Sequence, residues 1–181
     1  MSRIDESRPF IPVRIAVLTV SDTRTHKTDK SGPLLVGMIE EAGHDLAEHA
    51  IVEDDPKAIR KQVKRWIKDP AVDVVITTGG TGFTGRDVTP EAVEPLFEKK
   101  MEAFAALFLM VSFRKIGTSA VQTRATAGVA NATYIFCLPG SPGACKDAWD
   151  DILRLQLDAR HRPCNFVELM PRLKEGKGKP A

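Results

Sequence analysis

Three stretches of this chain are apolar on consecutive rather than alternate positions: RIAVLTV at 14–20, VDVVITT at 72–78 and ATYIFCL at 132–138. A strand with one wet face alternates, whereas a strand covered on both faces does not, so these runs read as buried parallel strands. A shorter candidate, EHAIV at 48–52, lies between two helical segments. The first of those has Pro33 at its opening and Gly43 just past its end, with Leu34, Leu35, Met38, Ile39 and Ala42 along one stripe. The second runs from about Pro56 to Lys68 and aligns Ile59, Val63, Trp66 and Ile67. A last helix near 143–157 is expected to bury Trp149, Ile152, Leu153 and Leu157. Strand and helix thus alternate, and the expected fold is α/β, a three-layer α/β/α sandwich on a mostly parallel sheet. The domain is placed at 13–166, after an N-terminal extension at 1–12 and before a basic, flexible tail at 167–181; the stretch from Arg160 onward, ending KEGKGKPA, reads as frayed.

Composition excludes several classes. At 43% hydrophobic, 28% charged and a net charge of +2, the 181 residues describe an ordinary globular domain with no nucleic-acid or anionic-membrane surface. Cys137, Cys145 and Cys164 lack metal or redox spacing and read as reduced thiols of a cytoplasmic protein. The greasiest run, AFAALFLMV at 103–111, is too short to span a bilayer. The four histidines are assigned to surface charge (His44, His49), a polar loop (His26) and the basic tail (His161). The helix expected at 96–115 is apolar nearly all round, which points to an oligomer interface, with Phe104 and Phe108 as the residues facing the partner.

The stretch TTGGTGFTGRDVTPEA, 77–92, follows the VDVVI strand directly. Gly80-x-Gly82-x-x-Gly85 matches a dinucleotide fingerprint in letters, but Pro90 and Pro95 interrupt the helix and no strand returns at the required distance. Gly80-x4-Gly85-Arg86-Asp87 mimics a phosphate loop, but Asp87 repels bare phosphate and suits a metal-bound one. What remains is a glycine loop whose backbone can approach an anion, closed by a carboxylate. Two further loops leave strand ends with the same character: SDTRTHKTDKSGP, with Ser31 and Gly32 at a helix start, and PGSPGA at 139–144. Three helix starts converging on one crevice suggest a polyphosphate-sized ligand. The EDDP turn adds Asp54 and Asp55, of which Asp55 is the expected helix cap.

With those residues in hand, the sequence resembles the MoaB/Mog family of molybdenum cofactor biosynthesis. LTVSDTR (18–24), DKSG (29–32), EDD (53–55), TTGGTGFTGRDVTPEA (77–92), TRATAGVAN (123–131) and LPGSP (138–142) carry the resemblance across about residues 11–166, and QLDARHRPCNF (156–166) is similar to the bacterial B branch. The resemblance implies a cytoplasmic enzyme, Mg-ATP-dependent adenylylation of molybdopterin and release of pyrophosphate. It implies that Asp54 and Asp87 act in catalysis and hold Mg²⁺, and that Gly79, Gly80, Thr81 and Gly82 line the nucleotide and pterin phosphate site. Pro139, Gly140 and Ser141 belong to the facing loop, and Ser21, Asp22 and Ser31 to the rim. Trimers, paired as a hexamer, are the implied assembly. A non-catalytic molybdopterin-binding or carrier protein is the alternative, and a nucleotide-cleaving enzyme of the competence-damage type a third reading.

Overall fold

The computed structural model describes residues 3–175. In chain order the elements are β1 (Arg3–Ile4), β2 (Arg14–Val20), α1 (Ser31–Glu41), β3 (Asp45–Val52), α2 (Pro56–Trp66), β4 (Val74–Thr78), α3 (Thr89–Val93), β5 (Lys99–Lys100), α4 (Glu102–Ile116), β6 (Thr126–Ala130), β7 (Thr133–Leu138), α5 (Pro142–Ala148), α6 (Arg154–Gln156), β8 (His161–Arg162) and α7 (Phe166–Leu169). The main sheet has the order β3-β2-β4-β7-β6-β5. Strands β3, β2, β4 and β7 are parallel, and β6 and β5 run antiparallel at one edge.

The three layers follow from side-chain alternation along strands that are apolar on both faces. Ile15 and Val17 of β2 join Leu35, Ile39, Phe136, Trp149 and Leu153 on one side of the sheet. Ala16 and Leu18 join Ile59, Val63, Trp66, Val75 and Ile135 on the other. Helix α2 stops solvent at that second face with three fully buried side chains, and Asp55 caps it by accepting the Ala58 N–H at 2.9 Å. The last helix buries Trp149, Ile152, Leu153 and Leu157 as the sequence requires, with a π-helical turn at Trp149–Leu153 joining α5 to α6.

Several expectations are corrected. The segment 123–131 contains β6, a strand too poor in large β-branched residues to stand out. Residues 96–100 do not open α4. Glu94–Leu96, with Pro95 inside it, forms a 3₁₀ turn instead, and the chain then follows the sheet edge, with Glu98 and Met101 N–H groups donating to the Val129 and Ala127 carbonyls. Gly128 lies under the Phe97 ring, where a β-carbon would collide with it. In α4 itself, Phe104 and Phe108 are not the partner-facing residues: they are 4% and 1% exposed and Phe104 packs on Phe136. The exposed face carries Leu107, Met110, Phe113 and Ile116. A helix apolar all round hides which stripe meets the sheet, and Phe104, Phe108 and Ser112, one turn apart, are that stripe. With the following 3₁₀ turn, Glu102–Gln122 is 21 residues long and apolar enough by length and composition to cross a membrane, longer than the nine-residue run considered above. Here it packs on the sheet, and Lys115 ties it to Asp147 and Asp151.

The histidines are also displaced from their expected settings. His44 and His161 are buried; His44 accepts the Val13 N–H, lies against Phe10, and is held below the usual imidazole pKa by desolvation. His49 is half-buried beside Thr19 and Asp29. The stretch from Arg160 to Glu175 is built into the fold, through β8 paired with β1 and a buried Val167, while most of KEGKGKPA lies outside the described residues.

Strands β6 and β7 are joined by Asn131 and Ala132 alone, both at positive φ (48° and 64°), the conformation a two-residue hairpin needs. Asn tolerates it; alanine's β-carbon does not. Ala132→Gly is therefore expected to raise unfolding free energy by about 0.5–1 kcal/mol, read as a higher urea midpoint at unchanged slope. A lower midpoint would contradict the strain.

Candidate functional site

Chain order around the sheet reverses at β2. The connection through α1 leads outward to β3, and the next strand, β4, lies on the other side of β2. In open α/β sheets the crevice at the carboxyl ends of such a strand pair is where ligands bind. A cavity of about 160 Å³ sits there, lined among others by Thr19, Ser21, Arg24, Lys30, Gly79 and Gly140. It is the size of a phosphate group with its nearest neighbours rather than of a whole nucleotide, so a larger ligand would extend over the open rim. A groove of about 870 Å³ lies elsewhere, along the apolar face of α4. Its lining includes Glu102 and Asp151 but none of the glycine-loop residues, nor Asp22, Asp54 or Asp87.

The glycines explain how the crevice closes. Gly79, at φ 106°, sits where any β-carbon would strike the Val20 carbonyl. Its N–H donates to the Leu138 carbonyl at 3.1 Å, and a β-carbon on Gly140 would lie 3.2 Å from its Cα. The ends of β2, β4 and β7 therefore meet backbone to backbone. Thr89, at the start of α3, ties the loop back: its N–H reaches the Gly80 carbonyl at 2.9 Å and its hydroxyl the Gly79 carbonyl at 2.8 Å. Pro139 is pinned likewise, its carbonyl accepting the Thr78 hydroxyl.

Carboxylates gather opposite. Asp22 and Asp54 exchange bonds, each backbone N–H donating to the other's side chain at 2.9 Å. Burial pushes the Asp54 carboxyl above the usual range, and the charges of Asp22 and Asp87 push it further, against the opposing Asp22 N–H bond and Arg86. Asp87 goes the other way. Burial alone would raise it, but the Thr84 hydroxyl and N–H, the Gly82 backbone and the Arg124 guanidinium together hold it below the usual range. The two carboxyls are thus pushed in opposite directions, Asp87 down and Asp54 up. Among the described residues no group of three or more His, Cys, Asp or Glu side chains is placed to hold a metal alone.

Of the sequence candidates, Ser21, Ser31, Gly79 and Gly140 line the cavity. Asp22, Asp54 and Asp87 form the acidic side, with Gly80 packed against Thr89 and Asp54. Thr81 is 3% exposed and supports the loop from within. Ser141 is exposed and caps α5 by accepting the Ala144 N–H. The picture of three helix starts offering free N–H groups needs amendment. Asp29 already accepts the Ser31 and Gly32 N–H groups, so the first turn of α1 is occupied by a carboxylate. Positive charge at the rim comes instead from Arg24 and Lys30, which sequence reading passed over although both lie in SDTRTHKTDK. Arg124 was also missed: its N–H, Nε and Nη2 donate to the carbonyls of Thr81, Gly82 and Asp87, and it pairs with Glu91.

Comparison with known proteins places this architecture. The family model described as "Probable molybdopterin binding domain" matches residues 16–159, and the chain belongs to that family, among its MoaB/Mog members. It is similar to molybdenum cofactor biosynthesis protein B of Escherichia coli (strain K12), at 53% identity over 88% of this chain and 94% of that one. The protein of the same name from Bacillus subtilis (strain 168) is 46% identical over 78% of this chain and 84% of its own. A crystal structure of a molybdenum cofactor biosynthesis protein B superposes with a TM-score of 0.80 at 42% identity, covering 83% of this chain and 94% of that one.

The raised Asp54 carboxyl makes a pH prediction. Below the ordinary aspartate value of 3.8 Asp54 is protonated folded or unfolded; as pH climbs through the higher folded value, ionisation among two other carboxylates costs stability. Asp54→Asn should therefore unfold at higher urea than the wild type at pH 7, and at the same urea near pH ~3.5. A gain that persists undiminished at acid pH would assign it to something other than charge.

Proposed function

We propose that this chain works in molybdenum cofactor biosynthesis as a molybdopterin adenylyltransferase. A phosphate oxygen of molybdopterin attacks the α-phosphorus of ATP, the bond from that phosphorus to the bridging oxygen breaks, and pyrophosphate leaves. The observation that supports this best is the abutment of two glycine loops at the switch point, facing the Asp54 and Asp87 carboxylates. A site for two polyanions needs close backbone approach, positive charge at its rim and somewhere to place a cation.

Gly79 and Gly80 leave room for phosphates to reach the main chain, and Arg24 and Lys30 meet their charge at the rim. No proton acceptor is required, because the attacking phosphate is already ionised, and the neighbouring His49 imidazole is engaged with Asp29 and Thr19. Magnesium fits the donors. Asp54 and Asp87 would hold it, the crowding that resists Asp54 ionisation would be relieved, and phosphate and water would supply the other ligands, the mixture magnesium favours. Bound there, the ion neutralises charge on the approaching phosphates.

Asp87→Asn is expected to slow molybdopterin-dependent pyrophosphate release from Mg-ATP by about a hundredfold or more, with molybdopterin binding retained because the glycine loop is untouched. Wild-type turnover in that variant would remove Asp87 from the reaction. A wild-type protein that binds molybdopterin and releases no pyrophosphate would make the carrier reading the correct one.

The exposed face of α4 we assign to contact with further copies of the chain, as a trimer or a hexamer. Leu107, Met110, Phe113 and Ile116 together make an apolar patch that other copies would cover. Replacing Leu107 and Phe113 with Asp should yield smaller species or aggregate by light scattering, since a carboxylate is costly to bury unpaired. A wild-type monomer of 19.9 kDa at micromolar concentration would rule the contact out.

A further inference from the structure

Phe83 stands at the tip of the glycine loop with 69% of its surface exposed, in a stretch otherwise made of glycine, threonine and charge. A single exposed phenylalanine is ordinary. The backbone beneath this one, however, is held from two sides. Within the loop, the Thr84 N–H and hydroxyl donate to Asp87 Oδ2 at 2.8 and 2.6 Å. Across it, Arg124 donates from Nε to the Gly82 carbonyl at 2.8 Å and from Nη2 to the Asp87 carbonyl at 2.7 Å, while Glu91 engages its remaining nitrogen. The guanidinium so fixed lies 5.5 Å from the centre of the Phe83 ring. A planar cation that cannot swing away braces the ring, and most of the ring is left to solvent.

The same loop carries Gly79, which lines the crevice, at one end and Asp87 at the other, so the Phe83 surface is one of those bordering the crevice mouth. We propose that Phe83 is an aromatic platform on which the planar nitrogen heterocycle of a phosphate-bearing substrate stacks, with Arg124 holding it in place. The inference rests on the substrates proposed above. Adenine of ATP and the pterin of molybdopterin share this chemistry, and the test separates them.

Binding of three ligands in the presence of magnesium is measured by calorimetry: tripolyphosphate, ATP and molybdopterin, on the wild type and on Phe83→Ala, Phe83→Leu and Phe83→Trp. Base-on-aromatic stacking is lost at a cost of roughly 5- to 150-fold in affinity. The Ala and Leu variants should weaken one heterocyclic ligand by about tenfold, and which one it is names the ring. The Trp variant should restore the affinity, its fluorescence quenched by that ligand, and tripolyphosphate should bind all four proteins alike. The platform is overturned by unchanged ring-ligand affinity in Phe83→Ala, or by wild-type affinity in Phe83→Leu, which would mean apolar cover alone. An equal loss for tripolyphosphate would make Phe83 a loop support, and a changed mass by light scattering would make it a subunit contact; either also overturns it. Pyrophosphate release by the wild type together with an unaffected Phe83→Ala sinks the platform alone. A wild type that binds neither ATP nor molybdopterin sinks both readings.

Discussion

The contact on which the site depends is between main chains. Gly79 fits beneath the Val20 carbonyl and against Gly140 because none of the three strand ends puts a β-carbon between them. That approach sets the width of the crevice where the sheet order reverses, and it fixes where the loops on either side must leave. Thr89 then converts the turn into a closed frame by bonding to the Gly79 and Gly80 carbonyls. Any side chain at Gly79 would have to part β4 from β2, two strands paired from Ile15 to Thr19. The crevice is therefore a property of the sheet, and the loops decorate a spacing they do not determine.

Charge is arranged on that frame with unequal restraint. Asp87 is bonded into its ionised form, whereas Asp54 is crowded by burial and by like charge. Placing two carboxylates under opposite pressures is costly unless something positive arrives between them. The cations that act on them are Arg86, which is exposed and reaches Asp22 only at 3.5 Å, and Arg124, which is itself paired with Glu91. The fold thus leaves its acidic side incompletely compensated, and the magnesium proposed above would supply the missing positive charge.

How much was legible in the sequence depended on whether a residue's role was local. Buried parallel strands are written in consecutive apolar residues, and the Asp55 cap in its position before Pro56, so both could be read directly. Strand β6 could not, because Thr126–Ala130 earns its place by pairing with β7 rather than by propensity. Likewise α4 is apolar on every side, and only the sheet decides that Phe104 and Phe108 turn inward. The site divides the same way. Glycines and aspartates announce themselves by motif, while Arg124 supports the loop from 37 residues beyond Asp87, a relation no local pattern encodes. The occupied start of α1 was missed because Ser31 and Gly32 read as a helix start open to an anion, whereas Asp29 two residues earlier already accepts their N–H groups.

Arg124 has one more consequence. It follows the 3₁₀ turn Gly117–Gln122 that continues α4, and from there its guanidinium grips the loop bearing Asp87. The end of α4 is thereby linked to the loop bearing Asp87 by the Arg124 backbone N–H and by two guanidinium hydrogen bonds. If copies of the chain associate along the outer face of α4 as proposed, that contact and a ligand in the crevice would act on the same strut. Where two equilibria share such a member, each must bias the other by the same factor: a filled crevice and an assembled chain would be coupled variables, and concentration would become a setting of the site as well as a condition of its surroundings.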